Sequence, residues 1–213
     1  MRVALIGMAG IGKSTWAGRL ERKGFLRLDC DRMIAGRLSR ELAGAGDLIA
    51  ALGSWMGLPW EAGYEERAAQ YQRLEASVME EILGSLAAGG TGDDVVVDTT
   101  GSVIYLADEM LADLAERCVV VHLTAPPEVR RRLLEAYLVR PGPVLWHGMF
   151  LPEPGEALDE AVARCYERLL EDRERRYTRW AGVSLPHSLH RRELADADAF
   201  LEVLRYRGSG LEF

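Results

Sequence analysis

"LIGMAGIGKSTWAGRL" (Leu5–Leu20) decides the fold. An apolar run stops at Gly7. Gly7, Gly10 and Gly12 then crowd together, and Lys13, Ser14 and Thr15 follow at once. A chain that bends this tightly, leaves three positions without side chains and then presents one cation is built for an anion. Gly7, Gly12, Lys13 and Ser14 occupy the fixed places of G-x-x-x-x-G-K-[ST], the Walker A pattern of a P-loop. Val3 to Ile6 read as a buried strand. Thr15 to Leu20 read as the start of a helix, with Trp16 and Leu20 one turn apart. Backbone N–H groups over Ala9, Gly10, Ile11, Gly12, Lys13, Ser14 and Thr15 can converge on the phosphates of ATP, helped by the positive end of the helix. Lys13 can reach the β- and γ-phosphates, and the Ser14 hydroxyl can ligate Mg²⁺.

The chain of 213 residues suffices for one domain, read as a single P-loop domain over 1–213. Its net charge of −7 disfavours nucleic acid and anionic membranes as partners. No run of 18 apolar residues spans a bilayer, and no signal-peptide pattern precedes the first strand. Cys30, Cys118 and Cys165 are odd in number, scattered and without metal-ligand spacing, so a reducing, cytoplasmic setting is expected. A monomer or weak homodimer is expected.

Short apolar strands (2–7, 25–29, 94–98, 118–123, 182–185) alternate with helical stretches near 13–23, 31–43, 64–87, 105–116, 127–138, 156–180 and 193–206. This is the pattern of a doubly wound α/β domain with a parallel sheet. The stretch 139–156 carries four prolines and three glycines yet also Leu145, Trp146, Met149 and Phe150, and reads as a lid. The apolar segment 48–60 packs either internally or against a partner.

In such a sheet, ligands bind beyond the carboxyl ends of the strands. "FLRLD" ends there in Asp29, with Asp31 close behind. One carboxylate can serve Mg²⁺ and the other can orient or deprotonate an acceptor hydroxyl. Asp31 could instead cap the helix that follows. "DVVVDTTGS" presents Asp98 as a further Mg²⁺-side carboxylate, so Ser14, Asp29 and Asp98 form the expected metal set. Arg140, at the root of the lid, can offset charge on the γ-phosphate; it joins the ATP-binding set and, with Lys13 and Asp31, the catalytic set. On the helix 156–180 the apolar positions Leu158, Val162, Cys165 and Leu169 lead to Arg173. A guanidinium in that place either points into a cleft or pairs with a buried acid. His122, His147, His187 and His190 are not spaced for metal or triad chemistry.

These residues resemble those of shikimate kinase and related small-molecule kinases. "GMAGIGKST", "FLRLDCDRMI", "VVVHLTAPPEVRRRLL" and "RERRYTRWAGVSL" are similar to that family's phosphate loop, aspartate pair, fourth strand with its helix, and the R-x-P-x-Y-x-x-x-A pattern before its last strand. The spacing from Pro127 to Arg140 matches its lid arginine. The resemblance implies strand order 2-3-1-4-5, Mg²⁺ and ATP, a mobile lid, and transfer of the γ-phosphate to a hydroxyl. It places Asp29 beside Mg²⁺, Asp31 on the acceptor hydroxyl and Arg173 on a substrate carboxylate. Three places depart from it. Gln72 stands where the family has a second substrate arginine, with Arg73 one residue along, a turn of about 100° on a helix. Thr99, Thr100 and Gly101 replace a substrate-facing glycine run, and Arg175 replaces a proline. The acceptor is therefore expected to be a small, anionic hydroxylated metabolite, with shikimate itself disfavoured. The alternatives are a nucleotide kinase, a nucleotide-binding regulator without phosphotransfer, and a kinase acting on RNA ends or protein.

Overall fold

In the computed structural model, which describes residues 1–39, 41–42, 47–89, 94–139 and 142–208, five parallel strands pair in the order β2-β3-β1-β4-β5. They are β1 (Arg2–Ile6), β2 (Leu26–Asp29), β3 (Val95–Asp98), β4 (Val119–Leu123) and β5 (Val183–Leu185). The order and the parallel pairing are those expected from the sequence. β1 lies at the centre, and Val3, Ala4, Leu5 and Ile6 are sealed from solvent, as a strand covered on both faces requires. The register sets Asp98 opposite both Leu5 and Asp29, and His122 opposite Ile6. The chemistry-bearing strand ends therefore share one edge.

Eight helices accompany the sheet among the described residues: α1 (Lys13–Glu21), α2 (Cys30–Arg37), α3 (Leu48–Met56), α4 (Tyr64–Ala87), α5 (Asp108–Arg117), α6 (Pro127–Val139), α7 (Leu158–Trp180) and α8 (Ala197–Gly208). The helix expected over 31–43 stops at Arg37. Gly36 weakens its last turn, and Leu38 and Leu42 are buried beyond it. α3 falls in the apolar segment whose packing the sequence left open, and it packs internally. Asp47 caps it by accepting the Ala50 N–H at 3.2 Å, and Leu52 and Met56 are buried. The helix expected from 105 begins at Asp108, after a single 3₁₀ turn (Val103–Tyr105). The one expected from 193 begins at Ala197, after a wide turn (Leu189–Glu193). That turn is fastened to the core: Trp16 donates to the His190 carbonyl at 3.1 Å and stacks on Phe200 of α8, with ring centroids 4.5 Å apart.

The turn out of β1 is the tightest point of the sheet edge. Gly7 has φ +141°, and a Cβ there would lie 2.9 Å from the Leu123 carbonyl oxygen and 3.2 Å from the Ile11 side chain. Gly7→Ala is expected to lower stability by at least about 2 kcal/mol, the scale of a non-glycine residue forced into such backbone. Urea denaturation of wild type and variant measures it.

Candidate active site

The phosphate loop leaves β1 at Gly7 and enters α1 at Lys13, with Gly10 (φ +78°) and Gly12 (φ +117°) in the conformations that admit glycine most easily. The Lys13 side chain is buried. Its ammonium donates to the carbonyls of Gly7 (2.8 Å) and Met8 (3.1 Å). Burial lowers its pKa, while the charges of Asp98 and Asp31 oppose that shift. Ala9, Gly10, Ser14 and Thr15 are exposed at the mouth of the loop. Gly101 lies against it: a Cβ there would meet the Ala9 N–H nitrogen at 3.2 Å and an Arg173 nitrogen at 3.3 Å.

Asp29 and Asp98 share one cation. Arg27 Nη2 lies 2.9 Å from Asp29 and 2.6 Å from Asp98. Asp29 also caps α2 by accepting the Arg32 N–H. Asp98 is nearly sealed, and its Oδ1 is buried without a hydrogen-bond partner. Arg27 went unremarked in the sequence, although residues two apart on a strand share a face, so the pairing of Arg27 with Asp29 was readable. Arg27→Leu is expected to cost about 3 kcal/mol in chemical denaturation, because it leaves Asp98 buried without its cation. Adding Asp98→Asn is expected to recover part of that loss.

Asp31, half-buried at the start of α2, accepts a hydrogen bond from Tyr71 at 3.0 Å on Oδ1. Burial pushes its pKa up to about 6, against the opposing effects of Lys13 and the Tyr71 hydroxyl. Gln72 is corrected: it is exposed, like Arg73 beside it, and neither lines the cleft. Tyr71 and Glu75 occupy the inward stripe of α4 instead. Glu75 Oε1 accepts from the hydroxyls of Thr100 and Ser102 (2.7 Å for Ser102), and burial raises its pKa to about 7. Thr99 turns the other way and donates to the Leu5 carbonyl at 2.7 Å. Thr99 and Thr100 therefore brace the strand ends, and neither lines the cleft, whereas Gly101 and Ser102 do.

Arg173 reaches into the cleft from α7. It is buried and makes no ion pair among the described residues. Nη2 donates to the Leu145 carbonyl at 2.8 Å, and Nε has no partner. Of the two alternatives open from the sequence, the cleft is the one realised.

The outer wall is the described part of the stretch read as a lid. Val144, Leu145 and Trp146 are buried. Tyr64 donates to the Val144 carbonyl and accepts from the Trp146 N–H, each at 2.9 Å. Farther along, Arg164 grips Glu156 through two bonds (2.7 and 2.6 Å) and the Leu151 carbonyl at 2.9 Å. His147, at φ +50°, stacks on Tyr105 with centroids 3.7 Å apart, and burial together with Arg173 and Arg176 pushes its pKa down to about 4. Arg140 lies outside the described residues.

The loop, Asp31, Gly101, Ser102 and Arg173 thus surround one cleft of about 290 Å³. No group of three or more His, Cys, Asp or Glu side chains suited to a metal ion occurs among the described residues.

A family model described as an AAA domain matches residues 3–136. The chain belongs to the AAA domain family. The match ends in α6, so α7 and Arg173 lie beyond it. In structure this AAA domain protein is similar to a shikimate kinase from Acinetobacter baumannii in complex with shikimate, at TM-score 0.59 and 20% identity, covering 99% of this chain and 94% of that one. It is also similar to the shikimate kinase of Bacteroides thetaiotaomicron, at TM-score 0.59 and 19% identity, with 97% of each chain covered. The shikimate kinase of Aquifex aeolicus VF5 matches at TM-score 0.55 and 21% identity, over 99% of this chain and 98% of that one. These likenesses establish the kinase-like P-loop fold that the sequence led us to expect. No curated protein matches the sequence.

Proposed function

We propose that this protein is an ATP-dependent kinase that transfers the γ-phosphate to a hydroxyl of a small anionic metabolite, acting as a monomer or weak homodimer. One observation carries the reading: Lys13, Asp31 and Arg173, which makes no ion pair among the described residues, line the same cleft. The phosphate loop supplies the polyphosphate site. Arg173 supplies an anion site, and Asp31 is free to accept from a hydroxyl. In the reaction the acceptor oxygen bonds to the γ-phosphorus. The bond from that phosphorus to the β–γ bridging oxygen breaks, its electron pair leaves on ADP, and the hydroxyl proton passes to Asp31 and then to water.

Each group has a physical reason for its role. Lys13 exchanges the Gly7 and Met8 carbonyls for phosphate oxygens and offsets the negative charge there. Tyr71 holds Oδ1 of Asp31, leaving Oδ2 for the acceptor. With a pKa near 6, Asp31 is ionised at neutral pH yet basic enough to take a proton. The donors present fit Mg²⁺: the Ser14 hydroxyl would hold it directly, and the unpartnered Asp98 Oδ1, with Asp29, would hold it through water. Mg²⁺ supplies charge neutralisation on the phosphates when bound. Arg140 remains the proposed lid cation. The three cysteines are buried and unpaired, which supports a cytoplasmic setting. No helix among the described residues is long and apolar enough to cross a membrane.

ADP release with Mg-ATP and candidate acceptors tests the proposal. Lys13→Ala is expected to lower acceptor-dependent release by about 100-fold or more; unchanged release would sink the site assignment. Asp31→Asn is expected to retain ATP binding and lose transfer. Nucleotide binding with no acceptor-dependent release by any hydroxylated anion would favour a binding-only regulator.

The rate is expected to fall as pH drops through about 6, where Asp31 takes up a proton. Tyr71→Phe removes a hydrogen bond that favours the carboxylate, so this acid limb should move to higher pH. A pH–rate profile of both proteins decides it.

A further inference from the structure

Beyond the phosphate loop, the described lining of the cleft has few polar groups left to offer a substrate. The Gly101 carbonyl accepts from Tyr177, the Val144 carbonyl from Tyr64 and the Leu145 carbonyl from Arg173. The Ser102 hydroxyl is spent on Glu75, and so is that of Thr100 behind it. Asp31 has one oxygen on Tyr71 and makes no other side-chain hydrogen bond among the described residues. Among the described residues, two charged groups remain beyond Lys13 of the phosphate loop: the open carboxylate oxygen of Asp31 and the guanidinium of Arg173. Between them the wall is carbon: Ile49, Leu133, Ala136, Val144 and Leu145, with the rings of Tyr137 and Tyr166. Those two rings stack on each other at 4.5 Å and 13°, so they present edges and hydroxyls to the cleft.

A hydroxyl drawn into such a place without a partner loses its hydration with nothing in return, and each such loss weakens binding. An apolar ring loses nothing there and gains contact with the tyrosine edges and aliphatic carbons. The buried guanidinium, by contrast, has no acidic partner among the described residues, and a carboxylate matches its fork.

We infer that the acceptor is a small carboxylic acid with one hydroxyl and an apolar, flat body. The carboxylate pairs with Arg173, the hydroxyl meets Asp31, and the body fills the carbon-walled space between them. This rests on the kinase reading above and narrows its substrate class. The phosphoryl transfer is the displacement already written.

Two measurements on the full chain separate the two claims. One is binding to the Mg-ADP-loaded protein by calorimetry, and the other is acceptor-dependent ADP release with Mg-ATP. The probes are 3- and 4-(hydroxymethyl)benzoate, benzyl alcohol as the neutral analogue, and shikimate as the polyhydroxylated acid. At least one hydroxymethylbenzoate is expected to bind about tenfold more tightly than shikimate. It should also bind about 30-fold more tightly than benzyl alcohol. Tighter or equal binding of shikimate would overturn the apolar body, and equal binding of benzyl alcohol would overturn the anionic group. If neither benzoate binds, the inferred class is wrong, whatever ADP release shows. If a benzoate binds with the expected preference but releases no ADP, the inferred class stands and the phosphotransfer reading fails.

Discussion

The close approach of Gly7 to the Leu123 carbonyl governs how the rest of the site is placed. β1 and β4 lie side by side at the centre of the sheet, and the chain can leave β1 beside β4 only where no Cβ intervenes. That exit aims the loop across the carboxyl edge of the sheet and starts α1 at Lys13. β2 and β3 end at the same edge because Asp29 and Asp98 are in register. One steric allowance therefore brings together a cation, an array of N–H groups and the carboxylates.

Charge in the cleft is held in unequal states of satisfaction. Arg27 already serves Asp29 and Asp98, and Glu75 is served by two hydroxyls. Lys13 has carbonyls in place of an anion, whereas Arg173 has a carbonyl and no acid. The paired groups hold the scaffold, and Lys13 and Arg173, without an acidic partner among the described residues, are where binding energy for an anion is available. Asp31 lies between these cases, with one oxygen fixed and a raised affinity for a proton.

The loop and the placing of Asp29, Asp31, Asp98 and Arg173 were legible in the sequence, because each is written in local spacing: glycines at fixed offsets, strands that end in acids, a cation on an apolar stripe; the strand order came only through the family resemblance. The same stripe rule would have found Glu75, which follows Tyr64, Ala68 and Tyr71 on the inward face of α4. Gln72, which stands where the resembling family has a second substrate arginine, is one helical step from Tyr71 and faces solvent. α3 was hidden because an almost wholly apolar segment has no periodicity to read, although Asp47 and Gly57 stood at its ends as caps. Which hydroxyls and carbonyls are already taken depends on contacts between residues far apart in sequence, such as Tyr64 with Val144 and Tyr177 with Gly101. No local pattern encodes those pairings.

The two carbonyls that hold the Lys13 ammonium also bear on selectivity among anions. The lysine already has partners, so an incoming ligand must displace two existing bonds, and the lysine's contribution to affinity is a difference between two sets of contacts. A lone inorganic phosphate offers one group's worth of contacts in that exchange. A polyphosphate chain offers the lysine and the length of the loop new partners together, so discrimination between them arises before any base or sugar is read.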